Sequence, residues 1–336
     1  MSESDAALDT ALERPTGPSR FKSVTARLRQ ARVRDYGIVI GFVALFVTLS
    51  LASPAFLTTR NLLNVLDQSA AVGIIACGAT LVIIAGGFDL SVGATFAVAG
   101  VVAALVAKDV GNSGVGIAAG LGTGVVFGLF NAVLVTAGRI NAFVATLASS
   151  IMLRGLGLLL TSGMIVTVPL LGFSSIGQTK LLGIKYSVWL LVAFVGFTWF
   201  LLSRTAFGRY VYAVGGNPEA ARLSGLRVEV IRGATFVISG LSAGLAGVIV
   251  ASRTSSAQAD AGVGLELSAI AAAVIGGTSI MGGEGAIWRT VLGVLLLAMI
   301  TNGSNLLNVD PTYQQILTGA IIVAAVSVDA WSRRRA

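Results

Sequence analysis

Residues 65–107 read VLDQSAAVGIIACGATLVIIAGGFDLSVGATFAVAGVVAALVA, and this stretch decides the fold. It holds no basic residue and two acidic ones, Asp67 near its start and Asp89 near its middle. Each half has about the 20 apolar residues that a helix needs to cross a hydrocarbon core. Backbone groups in lipid must be satisfied internally, which makes helices of such runs. Gly86-Gly87 interrupts the apolar sequence, and Asp89 stands where a carboxylate could accept the free amides that open the next helix.

Working outward, apolar runs of spanning length occur at 37–53, 65–86, 90–107, 115–137, 142–160, 186–203, 233–252, 266–283, 288–307 and 313–330. The expected fold is therefore an all-α polytopic membrane bundle of about ten transmembrane helices. Composition agrees: only 11% of the 336 residues are charged, against about 25% in soluble domains. The 42 glycines suit close helix packing in lipid. Gly116, Gly120, Gly124 and Gly128 share one face of the fourth run, and Gly240 and Gly244 do the same in the seventh. There is no His, and the one Cys, Cys77, lies in an apolar run as a small core residue. That leaves no basis for a disulfide framework, a Cys/His zinc site or His-based acid–base catalysis.

Residues 1–35 are polar, carry Arg27, Arg29, Arg32 and Arg34 at their end, and read as a disordered cytoplasmic basic tail. A cleaved secretory signal is the rival reading, with Leu51-Ala52-Ser53 as a loose cleavage site. The polar region before it is too long and too acidic for one. Residues 36–332 form the membrane domain, and 333–336 a second basic tail. With both termini cytoplasmic, seventeen of the 23 Lys and Arg fall on inside segments and five outside, with Arg154 within the fifth run. This is the asymmetry that orients membrane proteins, and it explains the net charge of +8 without nucleic acid.

Polar residues inside spans are costly, and so they mark contacts. Gln68, Asn131, Asn141, Thr146, Asn302 and Asn305, with Asp89 and Ser91, are candidates for a gate or a translocation path. Their neutral chemistry suits an uncharged, hydroxyl-rich solute, although hydrogen bonds between helices would account for each of them singly. No acidic residues deep in the spans are expected to pair as a proton or sodium relay, which argues against an ion-coupled carrier. Without His, an intramembrane enzyme has few candidate groups.

The largest inside loop, 204–232, centres on Gly215-Gly216-Asn217-Pro218-Glu219-Ala220-Ala221-Arg222-Leu223-Ser224-Gly225-Leu226. Asn217 before Pro218 is an N-cap followed by Pro at the first helical position. Glu219 suits the positive helix start, and Gly225 ends the helix. A short charged helix projecting from the membrane fits a docking knob better than a linker. A further segment runs from Ala257-Gln258-Ala259-Asp260-Ala261-Gly262 in an outside loop through Glu266 to an inside glycine-rich turn, Gly276-Gly277-Thr278-Ser279-Ile280-Met281-Gly282-Gly283-Glu284-Gly285. It lacks the Gly-Lys-Ser/Thr ending of a phosphate-binding loop.

At these three segments, and at Asn141-Ala142-Phe143-Val144-Ala145-Thr146-Leu147 with Arg154-Gly155, the chain resembles the permeases of ribose-type sugar ABC importers. The likeness covers nearly all of the chain after residue 37, with Phe88 in place of the usual aliphatic residue. It implies a monosaccharide permease of the bacterial inner membrane, working as a dimer of identical or paralogous chains. It also implies a cytoplasmic ATP-binding-cassette ATPase that uses ATP-Mg, and a periplasmic or lipid-anchored binding protein. This chain would catalyse nothing and bind no cofactor or metal. The coupling helix would be the loop with Asn217, Glu219, Ala220, Ala221, Arg222, Ser224 and Gly225. Branched-chain amino acids, nucleosides or a furanosyl signal molecule are the alternative cargoes.

Overall fold

The computed structural model describes residues 37–310 and the single positions 313, 316, 319, 320 and 323. The N-terminal tail, the C-terminal tail and most of the tenth run lie outside the described residues.

The chain enters through α1 (Gly37–Ala52). It continues with α2 (Thr59–Ile84), α3 (Val92–Val110), α4 (Ser113–Thr136) and α5 (Ala142–Thr161). After short α6 (Leu171–Gln178) come α7 (Tyr186–Arg204), α8 (Ala206–Gly216), α9 (Pro218–Leu223), α10 (Val228–Thr254), α11 (Leu265–Ile275) and α12 (Ile287–Leu306). Seven of these, α2, α3, α4, α5, α7, α10 and α12, are long and apolar enough to cross a membrane. The expectation of an all-α membrane protein therefore holds.

The expected eighth span, 266–283, needs correction. Its helix stops at Ile275, and Gly277 adopts φ +80° in the turn that follows. Eleven residues at 1.5 Å each reach about 16 Å, roughly half of the ~30 Å core. Glycine-rich backbone replaces the rest of the span, and it is packed against protein, a setting that satisfies irregular backbone away from lipid.

The centre of the bundle is α2, buried almost throughout from Val65 to Ile84. Around it lie α7, α10, α11 and α12. The glycine face of α4 has two partners. Gly116 and Gly120 lie against Ala103 and Ala107 of α3, and Gly124 and Gly128 lie against Gly240, Gly244 and Val237 of α10. A methyl group at Gly128 would stand 2.7 Å from Phe236 O, so helix approach, as expected, explains the stripe. In contrast, α4, α5 and α7 present exposed apolar side chains such as Leu129, Ile151, Leu159 and Phe200.

Two small antiparallel pairs lie at the end of the bundle opposite α9. β1 (Val166–Thr167) pairs with β4 (Ser256–Ala257), and β2 (Lys180–Leu181) pairs with β3 (Ile184–Lys185). The second pair turns through Leu182-Gly183, both at positive φ.

Candidate functional site

The short helix α9 forms as its sequence expects. The Asn217 side-chain oxygen accepts from Glu219 N (3.1 Å) and Ala220 N (2.9 Å), and Pro218 fills the first turn. At the other end Ser224 N donates to Ala220 O and Gly225 N to Arg222 O, each at 3.0 Å, and Gly225 takes φ +84°. Ala221 is the buried residue of the helix and packs with Val214 and Val228. Glu219, Ala220, Arg222, Leu223 and Ser224 are exposed, Leu223 to 85%. Arg222 pairs with Glu229 at the start of α10.

Behind this knob, three separate sequence segments meet backbone to backbone. Gly215 of α8 lies against Ile84 O at the end of α2, with no room for a Cβ. Gly283 N donates to the same carbonyl at 2.8 Å. Gly282, at φ +85°, packs on Gly215 O and on the Cα of Gly86. Two side chains brace the junction: Tyr212 Oη donates to Gly285 O (2.8 Å) and Arg232 Nε to Ala85 O (3.1 Å). Burial pushes the Tyr212 phenol above its usual range, and the Arg289 charge opposes this only in part. Tyr212 is thus a neutral donor.

From Gly86 the chain runs directly into a buried polar network. Asp89 accepts from Ser91 N (3.0 Å) and Ser91 Oγ (2.6 Å) on one oxygen, and from Ser239 Oγ (2.8 Å) of α10 on the other. Asn131 of α4 donates to Ser91 Oγ (2.7 Å) and accepts from Ser149 Oγ (2.6 Å) of α5. Thr146 Oγ1 accepts from Leu90 N (3.1 Å) and donates to Ala142 O (2.8 Å). Asp89, Ser91, Asn131, Thr146, Ser149 and Ser239 are all at most 3% exposed. The first residue of α3 is Val92, and Asp89 reaches only the Ser91 amide before it. Its carboxylate therefore ties the loop to α10 more than it caps a helix.

The other four candidates stand elsewhere. Asn141 is the N-cap of α5, accepting from Phe143 N (2.9 Å), on a cavity of about 990 Å³ near α9. That cavity also bears Arg139, Arg222, Glu229 and Arg232. Gln68 and Asn302 border a cavity of about 260 Å³ between α2, α11 and α12. Asn305 is exposed near the end of α12, its carbonyl accepting from Asn308 N.

Asp67 and Glu266, which open the second and eighth runs, have basic partners that the sequence did not reveal. Glu266, at the start of α11, meets Arg154 of α5 at 3.5 Å, and its Oε2 lies buried against Gly93. Asp67, 5% exposed at its side chain, accepts from Lys185 Nζ (2.6 Å) and Ser187 Oγ, with Arg253 at 3.9 Å. These partners lie more than a hundred residues apart, which hides them from any local pattern. Ser239 had one faint signal, a hydroxyl beside Gly240 on a tightly packed face.

The half-span, the knob and the junction belong to a polytopic membrane chain, and its sequence puts that chain in a transport family. It belongs to the family described as "Branched-chain amino acid transport system / permease component", matched over residues 61–326. Within it, the chain is 42% identical to the ribose import permease protein RbsC of Escherichia coli K12, over 87% of this chain and 92% of that one. It is also 42% identical to RbsC of Bacillus subtilis (92% and 98% covered) and 41% identical to the L-arabinose permease protein AraH of Azospirillum brasilense (89% and 88%). No solved structure matches the chain.

Proposed function

We propose that this chain is the permease subunit of a monosaccharide importer of the bacterial inner membrane, carrying a sugar of the ribose and arabinose class. Ten spans place both termini and α9 in the cytoplasm, and the Asp67–Lys185–Arg253 cluster outside. A cytoplasmic ATP-binding-cassette ATPase docks on α9, and a binding protein delivers sugar from the other side to a pair of permease chains. The ATPase holds the nucleotide and its magnesium; this chain performs no covalent chemistry.

The observation that carries this reading is the glycine junction. It joins the exposed helix α9 to the loop of Asp89 through backbone contacts, with no flexible side chain between them. Packed backbone transmits displacement because it cannot deform continuously. To shift the gate from 1:99 to 99:1, the ATPase must favour one state by about 5.5 kcal/mol.

The test is uptake of radiolabelled ribose or arabinose by vesicles holding the chain, the ATPase and the binding protein. Uptake should require ATP and all three proteins. Uptake by the permease alone, driven by a pH or sodium gradient, would instead support an ion-coupled carrier using the Arg154–Glu266 pair. Branched-chain amino acids and nucleosides are the competing cargoes in the same assay.

A further inference from the structure

We propose that the cavity between α2, α11 and α12 is a binding site for a single monosaccharide on its way through the protein. This rests on the reading of the chain as a sugar permease and adds the residues that would touch the sugar. The cavity lies toward the end of the bundle opposite α9. Gln68 is nine residues into α2, Ser268 three into α11, and Thr301 five before the end of α12. In the proposed orientation this is the half that faces the binding protein.

The chemistry of the walls names the ligand class. Gln68, Ser69, Ser268, Thr301 and Asn302 supply amide and hydroxyl groups, and among the described residues no ionised side chain borders the space. Ser268 Oγ donates to Gly264 O (3.0 Å), Thr301 Oγ1 to Leu297 O (3.2 Å) and Ser69 Oγ to Leu66 O (3.0 Å). Each hydroxyl oxygen thus keeps acceptor lone pairs that a ligand's donors could use. Asn302 is held by a reciprocal amide pair with Asn61, at 2.9 and 3.0 Å, which uses one of its two side-chain N–H groups and leaves the other as a donor. Val65, Val72, Val294 and Leu297 give an apolar side. Hydroxyl acceptors and amides facing an apolar wall fit a sugar ring, which has polar edges and C–H faces. An ion or a phosphate would lack a counter-charge here.

Size agrees. At roughly 30 Å³ per water, about 260 Å³ holds around nine waters, which is room for one sugar ring. Gln68 is exposed although it lies in a membrane-spanning helix, a placement that calls for water or a polar partner. The Asp89 network is a poorer candidate for solute, because its groups already bond one another. The larger cavity near α9 carries arginines and a glutamate.

The experiment uses the full transporter in vesicles. Gln68→Cys adds one thiol to a chain whose native Cys77 is fully buried. The new thiol should react with a water-soluble maleimide, and ribose with its binding protein should slow the reaction at least threefold. Ala298→Trp, which fills the cavity, should lower ribose moved per ATP hydrolysed at least tenfold. A Gln68→Cys thiol that stays unlabelled, or is labelled at a rate indifferent to ribose, overturns the site. So does wild-type uptake by a well-inserted Ala298→Trp protein. If the unaltered transporter takes up no ribose or arabinose, the failure belongs to the sugar-permease reading; normal uptake with either negative result above leaves only the site at fault.

Discussion

Asp89 shows how a single residue can be read correctly for position and incompletely for role. A buried carboxylate keeps its place when several donors surround it, and here Ser91 and Ser239 supply three. Replacing it by Ala leaves those donors without an acceptor, at about 1–3 kcal/mol for each group left unpaired. Asp89→Ala should therefore lower the thermal unfolding midpoint of the detergent-solubilised protein, read by the exposure of Cys77 to a thiol dye. Asn131 and Ser149 share one hydrogen bond, so Asn131→Ala and Ser149→Ala should be non-additive in the same assay. Additive losses would show that the network does not act as a unit.

Among the elements, α9 stands out because its sequence contains all of its local design. Asn217, Pro218 and Gly225 give its start and stop, and the structure places each as expected. Asn217→Ala should cost about 1 kcal/mol of local stability and speed amide exchange at Glu219 and Ala220. Glu219 and Arg222 are exposed on the knob. Replacing both with Ala should leave membrane insertion intact while abolishing stimulation of ATP hydrolysis by loaded binding protein. Normal stimulation in that variant would reduce α9 to a linker. The half-span α11 was less legible. Its apolar composition continues to Ile280, and periodicity cannot tell a helix from packed glycine-rich backbone. Only the positive φ at Gly277, Gly282 and Gly283 reveals where the helix ends.

For the molecule as a whole, the glycine junction makes a prediction that no single element does. Gly215→Ala places a methyl group onto Ile84 O, where backbone on both sides leaves no escape. The variant should insert and bind the ATPase yet move little sugar per ATP hydrolysed, because α8 is pushed away from the loop that leads to Asp89. Wild-type coupling in Gly215→Ala would mean that α9 and the Asp89 network are mechanically separate. The motif segments at 86–94, 215–226 and 276–285 were each visible as glycine-rich interruptions of apolar runs. Their meeting was not visible, since contact between residues so far apart in sequence leaves no mark on either one.

The division between sequence and structure follows the range of the forces. Hydropathy, capping and glycine periodicity act over a few neighbouring residues, so residues 65–107 specify two helices of spanning length by themselves. The same holds for α9 and for the face of α4 that admits other helices. Which polar residues are partners is decided by tertiary packing. Asp67 finds Lys185 and Arg253, Arg154 finds Glu266, and Asp89 finds Ser239. A buried charge or amide is stable only when the fold brings a complement to it, and that complement comes from helices far away in the chain. Eight candidate path residues could be named from sequence, but their sorting into a closed network, a helix cap, an open cavity and a helix end required the folded backbone.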